Sequence, residues 1–455
     1  MLRTFLHRWV DLVHDMDQHL RELLQGTAVA FALRGVAAVS EFTFTVLLGQ
    51  MLGADGSGIF SLAFTVALIG TVIGRLGLDN TLVRHVASHA EMGEWPAVKA
   101  ATQWAERVAV GASLAAAIVI GGLGPLFAER VLGKPEIGSS LQWMALAVVP
   151  WAMSRLYGEM LRGLKRIFLY QVVNAVGYWL IAIAVLVVLV PAFGVDGVIW
   201  AFIMGTVTTA AVGFAIWHWM TPPLRCRATP FDSGDLLRRS LHLFWVQPAA
   251  LAMTWIPTFF LGRWATTADV GIFSAAARTA VLSILVLIAV NAIAAPKFAA
   301  FWRKGDHEGL ARMAKQSVRL LLLLSAPVFA LFLLAPGWVM GLFGPEFGAA
   351  GGPILFIIAI GQCVNVATGS IGPLLIMSGH EKAMRNNVLF GAAINLALCL
   401  GLIPAFGMLG AAIATATSLA VTNLIGAYTV WSRLGILTLP LPIKSMGRLM
   451  GSRPQ

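Results

Sequence analysis

The chain has 455 residues, of which 58% are hydrophobic and only 12% charged, about half the charged share of an ordinary globular protein. Its mean hydropathy of +0.81 excludes a water-soluble fold, and the lack of period-two alternation excludes a β-barrel. The net charge of +11 could mean nucleic acid in a soluble protein; here topogenic charge accounts for it, and no nucleic acid is expected as a partner.

The first 26 residues lack the apolar core and small-residue cleavage site of a secretory signal. Phe5, Trp9, Leu12, Met16, Leu20 and Leu23 recur every three or four positions. That spacing makes one apolar face and predicts an amphipathic helix on the cytoplasmic surface.

Twelve apolar stretches follow, each long enough to cross a hydrocarbon core of about 30 Å. They are predicted at 27–51, 57–83, 102–123, 140–160, 168–190, 195–219, 241–263, 270–296, 317–340, 352–377, 387–404 and 409–432. The fold class is therefore all-α and polytopic. The Pro- and Arg-rich segment 221–240 falls halfway and reads as a cytoplasmic linker. It divides an N-lobe over 27–220 from a C-lobe over 241–432, and 433–455 reads as a basic cytoplasmic tail.

The lobes are copies of one unit. Gly58-Ile59-Phe60-Ser61 returns as Gly271-Ile272-Phe273-Ser274, and Pro191-Ala192-Phe193-Gly194 with Gly197 returns as Pro404-Ala405-Phe406-Gly407 with Gly410. Both pairs are 213 positions apart, as are Leu48-Gly49 and Leu261-Gly262. One offset shared by distant motifs marks an internal duplication. Six spans per copy is an even number, so both copies enter the membrane from the same side and are parallel repeats.

Charge sets the orientation. With a cytoplasmic N-terminus, 25 of the 32 Lys and Arg fall in cytoplasmic segments and span ends, and external loops hold only Arg130, Lys134 and Arg263. The positive-inside rule selects that topology, with both termini cytoplasmic.

The remaining four basic residues, Arg34, Arg75, Arg155 and Arg278, lie within spans. Ionisable groups are costly there and mark functional paths when they face the interior. Arg34, Arg75 and Arg155 lie toward the cytoplasmic part of their spans, Arg278 in the outer half of its own, and Glu41 near mid-membrane. Guanidinium groups so spaced are expected to bind a di-anionic head group through charge-assisted hydrogen bonds. Glu41 and Asp79 are candidates for coupling an ion. The alternative is that Arg75 with Asp79, and Arg155 with Glu159, each four apart, neutralise one another within a helix. Asn174, Gln247, Asn291, Asn365 and Asn395 are expected to hydrogen-bond between helices. Arg84 and Lys297 read as anchors at span ends, and His218 and His242 as interfacial polar groups. Cys226, Cys363 and Cys399 share no short spacing, so no disulfide or metal site is expected. No nucleotide-binding glycine pattern occurs, and no cofactor or enzymatic activity is expected. A membrane-embedded polymerase or ligase would need a large external loop, and the longest here is about 16 residues.

Twelve spans, the paired GIFS and PAFG-x-x-G motifs, Gly77-Leu78-Asp79 leading to Arg84, and Pro135-Glu136-Ile137-Gly138 mirrored by Pro345-Glu346-Phe347-Gly348 carry a resemblance. The chain resembles the polysaccharide-transporter branch of the MOP superfamily, the Wzx-type lipid-linked oligosaccharide flippases, over about residues 27–432. The resemblance implies a MATE-like, V-shaped pair of six-helix lobes around a central cavity lined by cations. It implies alternating access that carries an undecaprenyl-diphosphate-linked glycan across the inner membrane for exopolysaccharide, capsule or O-antigen synthesis. It also implies a polysaccharide polymerase and a chain-length regulator as partners. Arg34, Arg75 and Arg278 match the family's cavity cations in kind and span. Lipid II flippases of the same superfamily have fourteen spans, two more than here. Multidrug and cation extruders have twelve but depend on acidic cavity residues.

Overall fold

A computed structural model of the chain describes residues 18–221, 234, 236, 240 and 246–438. The predicted surface helix before residue 18, most of the 221–240 linker with His242, and the tail from 439 lie outside the described residues. Two compact units divide between Pro248 and Ala249.

The first unit runs α1 Gln18–Gly74, α2 Leu78–Glu91, α3 Trp95–Phe127, α4 Gly138–Gly163, a short α5 Ile167–Gln171, a π-turn Val172–Val176 and α6 Gly177–Met220. The second runs α7 Val246–Trp264, α8 Thr267–Val281, α9 Leu285–Arg303, α10 His307–Leu334, α11 Pro336–Gly341, α12 Pro345–Thr368, α13 Ile371–Met377 and α14 Glu381–Leu434. No strand occurs among the described residues.

Among the described residues, seven helical stretches are long and apolar enough to cross a membrane. Three of them, in α1, α6 and α14, bend at Gly53, Gly194 and Gly407 and hold two predicted spans each. With α4 and α7, this accounts for the twelve spans. Inside lipid every polar group must find a partner in the protein. Span hydroxyls accordingly donate to the carbonyl one turn back, as Ser40 does to Val36 and Thr65 to Ser61, at 2.8 and 2.7 Å.

The duplicated glycines show why the motif was retained. Gly194 has φ 55° and ψ −128°, and Gly407 has φ 54° and ψ −130°. A side chain is strongly disfavoured in that region, so glycine sets each bend. A Cβ at Gly197 would stand 2.6 Å from the Leu189 carbonyl oxygen, and one at Gly410 would stand 2.2 Å from that of Leu402. Both contacts repeat at the same offset.

The cores differ. In the first unit Phe44, Phe60, Phe64, Trp151, Trp179 and Phe202 stack into one aromatic block, with Phe44 4.9 Å from Trp179 and Trp151 5.1 Å from Phe202 between ring centroids. At the offset of 213, Phe44, Phe64, Trp179 and Phe202 correspond to Pro257, Ala277, Ala392 and Thr415. Only Phe60 keeps an aromatic counterpart, Phe273. Tyr178 adjoins the block, 5.0 Å from Trp179 between ring centroids. Apolar residues such as Val188 and Leu323, 71% and 72% exposed, face outward, as lipid-facing positions do.

Candidate functional site

The charges of the first unit meet where α1 ends. The helix stops at Gly74; Leu76 and Gly77 take left-handed φ values of 46° and 74°, and α2 starts at Leu78. A leucine at positive φ is strained, and such strain concentrates at working sites. The break sets Arg75 just before the turn and Asp79 in the first turn of α2, where the helix dipole favours a carboxylate. Arg75 Nη1 lies 2.5 Å from Asp79 Oδ2, with the two side chains 11% and 8% exposed. Arg75 Nε also donates to the Thr71 carbonyl at 3.3 Å.

A second group comes from α4 and the π-turn. Asn174 sits in that turn; its Oδ1 accepts from Arg155 Nη1 at 2.5 Å and its Nδ2 donates to Glu159 Oε1 at 3.3 Å. Arg155 Nη2 reaches the Tyr178 hydroxyl at 3.4 Å, and its guanidinium lies 5.8 Å from the Tyr178 ring centroid. Glu159 Oε2 stands 2.9 Å from Arg162 Nε. That contact is an ion pair without hydrogen-bond alignment, since the same oxygen accepts no hydrogen bond. Arg162 Nη2 donates to Asn80 Oδ1 at 3.4 Å, which links α4 back to α2 beside Asp79. Glu159 lies within Coulombic reach of Arg162, Arg75 and Arg155, which attract it, and of Asp79, which repels it.

The centre of this network is buried, while Arg162, 34% exposed, and the exposed Asn80 form its outer edge. Asp79, Glu159 and Asn174 are 6%, 7% and 4% exposed. Three guanidinium groups face two carboxylates, so the groups named carry one positive charge in excess. Asp79 Oδ1 is buried without a hydrogen-bond partner among the described residues. The arrangement can therefore accept an anion at its guanidinium groups and a proton or cation at its carboxylates.

The four arginines predicted as substrate contacts divide in three ways. Arg75 and Arg155 join the network. Arg34, on α1, is exposed and stands apart from it, and Glu41, seven residues on, is half-buried. Arg278, on α8 of the second unit, has its guanidinium 6.0 Å from the ring centroid of Trp255 on α7. The Arg75–Asp79 pair forms as expected. The expected Arg155–Glu159 pair is replaced: Arg155 turns to Asn174 and Tyr178, and Glu159 to Arg162, because the π-turn inserts an amide between them. Arg162, one turn beyond Glu159, joins the network as the sequence spacing allows, whereas Asn80 and Tyr178 are members that sequence reasoning did not single out. Tyr178 follows Asn174 by four positions, a helical spacing that could have signalled a shared face.

Other polar positions resolve simply. Asn395 Nδ2 donates to Ser418 Oγ at 2.9 Å, 23 residues away along bent α14, whereas Asn365 bonds Gln362 within its own helix. Asn291 keeps a buried Oδ1 without a hydrogen bond among the described residues, and the side chain of Gln247 lies outside them. His218 accompanies the Phe214 carbonyl at 2.9 Å and is exposed, as are Arg84 and Lys297. No cluster of His, Cys, Asp or Glu able to hold a metal occurs among the described residues.

Solved structures similar to this chain share its fold. An inward-facing multidrug-resistance MATE transporter of the MOP superfamily superposes with a TM-score of 0.75 at 14% identity, covering 90% of this chain and 98% of that one. A MOP superfamily transporter from Pyrococcus furiosus, described as having a binding pocket of reverse polarity, superposes at 0.58 with 15% identity over 91% and 96%. Among curated proteins, the probable low-salt glycan biosynthesis flippase Agl15 of Haloferax volcanii is 22% identical over 427 residues, 91% of this chain and 85% of the relative. The probable flippase AglR of the same organism is 21% identical over 445 residues, 94% and 87% of the two chains. The family model described as polysaccharide biosynthesis protein matches residues 23–302, which takes in the spans of the first unit and the opening spans of the second. With its duplicated six-span scaffold, the chain belongs to the polysaccharide biosynthesis protein family.

Proposed function

We propose that this protein is a flippase for polyprenyl-diphosphate-linked oligosaccharide, carrying it from the cytoplasmic to the periplasmic leaflet by alternating access. The observation that carries this reading is the network of Arg75, Arg155 and the partly exposed Arg162, whose positive charge exceeds that of the buried Asp79 and Glu159. A cationic excess at the edge of a buried polar network favours an anionic cargo. The two curated flippase relatives and the family support the same cargo class.

In the proposed cycle the diphosphate exchanges with Asp79 at Arg75 and with Asn174 at Arg155. Each exchange replaces an internal bond by a charge-assisted bond to phosphate. Arg34 engages the head group on the cytoplasmic side, and Arg278 assists it in the outer half of the membrane. The glycan takes the polar groups and the polyprenyl tail stays in lipid. Asp79, once released, is free to take up a proton or a sodium ion, and Glu41 is the other candidate. The working site is the inner membrane with both termini cytoplasmic. A polysaccharide polymerase and a chain-length regulator would act on the product.

The test is translocation of lipid-linked oligosaccharide in reconstituted vesicles. Arg34→Ala, Arg75→Ala, Arg155→Ala and Arg278→Ala should each lower the rate by about tenfold or more, from the 1.5–3 kcal/mol typical of a hydrogen bond to a charged group. Full activity in Arg34→Ala or Arg278→Ala would sink the assignment. The second reading is a multidrug or cation antiporter, favoured by the MATE-like fold and the buried carboxylates Asp79 and Glu159. Drug resistance conferred without any effect on glycan export would select it. A lipid II-type cargo is distinguished in the same vesicles by presenting that lipid instead.

A further inference from the structure

A cavity of about 370 Å³ opens where the end of α2, the start of α3 and the end of α4 meet, lined by Glu91, Trp95, Leu161, Leu164, Lys165 and Arg166 among others. These residues lie beyond the predicted spans 57–83, 102–123 and 140–160, on the side that the positive-inside rule assigns to the cytoplasm. The guanidinium network uses none of them.

Lys165 is the unusual residue. Its φ is 59°, a left-handed conformation that costs any residue with a Cβ. The duplicated unit supplies an internal control. There the same turn is built by Gly379, with φ 79°. Lys165 N and Arg166 N donate to the Arg162 and Leu161 carbonyls, and Gly379 N and His380 N donate to those of Ile376 and Leu375, all at one offset of 214. A Cβ at Gly379 would meet nothing within 4 Å, so conformation and not crowding favours glycine in this turn. The first unit nonetheless keeps a lysine. Its ion pair with Glu91 does not explain the choice, because the two side chains are 75% and 63% exposed, and exposed pairs add little stability. Strain retained against an available glycine points to a use for the side chain.

Arg166 extends the same cationic edge, while Trp95, Leu161 and Leu164 give the cavity an amphipathic ring and an apolar wall. Cations beside an aromatic ring just beyond the predicted spans match a lipid phosphate above the start of its acyl chains. We propose that this cavity binds the phosphate headgroup of an anionic phospholipid, with Lys165 leaving Glu91 to pair with the phosphate. The site is independent of which substrate the protein transports.

The full chain is reconstituted in nanodiscs of phosphatidylcholine with increasing phosphatidylglycerol, and the thermal unfolding midpoint is followed. The midpoint should rise with phosphatidylglycerol and saturate. Lys165→Gly, which restores the residue used by the second unit, should leave the midpoint in pure phosphatidylcholine unchanged or higher. It should also weaken the apparent phosphatidylglycerol affinity about fivefold, the worth of one cation at the membrane surface. Lys165→Asn, another residue tolerant of this conformation, should do the same, and Glu91→Gln should move saturation to less phosphatidylglycerol. The proposal is overturned if both Lys165 variants keep the wild-type phosphatidylglycerol response. It is equally overturned if they lose as much stability in pure phosphatidylcholine, which would mark the pair with Glu91 as purely structural. Inorganic phosphate reproducing the rise in midpoint would overturn the lipid as its source.

Discussion

Asn174 stands between opposite charges, accepting from Arg155 and donating to Glu159, and a neutral amide is suited to both tasks at once. Its position depends on Gly158, where a Cβ would come within 3.0 Å of the Asn174 Cβ. Replacing Asn174 by Leu leaves a buried guanidinium and a buried carboxylate each short of a partner, at a cost of about 1–3 kcal/mol. Asn174→Leu should therefore unfold at lower temperature in detergent than the wild type, and Asn174→Gln should recover part of the loss. Equal stability in all three would show that water or lipid serves these groups as well as the amide. At this scale the sequence identified Arg75, Asp79, Arg155 and Asn174 by one property, a polar group inside an apolar run. It paired Arg155 with Glu159 because spacing along a helix was the only geometry available. The observed partner is 19 residues away, and it is reached through a π-turn whose extra residue has no mark in composition.

Among the elements, the bends at Gly194 and Gly407 are the most legible. The motif that carries them recurs at one offset, and the backbone angles agree within a few degrees. Gly194→Ala and Gly407→Ala should each destabilise by about 1–3 kcal/mol, the cost of holding a side chain in a sparsely populated region, and by similar amounts. Gly401→Ala lies in the helical part of α14 with open space around it and should be neutral or stabilising by up to about 1 kcal/mol. Chemical unfolding of the three variants compares them directly; a loss at Gly401 equal to that at Gly407 would argue against the conformational explanation. The break at Leu76–Gly77 was not legible. A Leu-Gly pair within an apolar run reads as an unbroken span, and its counterpart at the offset of 213, Ala289–Val290, lies inside continuous α9. The fourth span shows the opposite asymmetry: α4 is continuous, whereas the second unit breaks between α12 and α13 at Gly369. The two copies thus interrupt different helices.

For the whole molecule, orientation rests on the basic residues gathered on one side of the spans. In a background lacking Cys226, Cys363 and Cys399, Glu136→Cys should react with a membrane-impermeant maleimide on intact cells. Lys304→Cys should react only after permeabilisation. Both native side chains are exposed, so burial would not obscure the result, and the reverse pattern would invert the topology. The sequence by itself determined the membrane class, the twelve spans, the duplication and the presence of buried charge. Those properties depend on composition and on distances along the chain, which the backbone carries directly. Only the tertiary structure decided which charges share a site. It brought Arg75, Asp79, Arg155 and Glu159 into one network and kept Arg34 outside it. It also revealed that Lys165 occupies the conformation its duplicate gives to glycine. Partners across helices depend on helix rotation, on a one-residue π-insertion and on close approach at Gly158, and each of these is set by packing that no local spacing encodes.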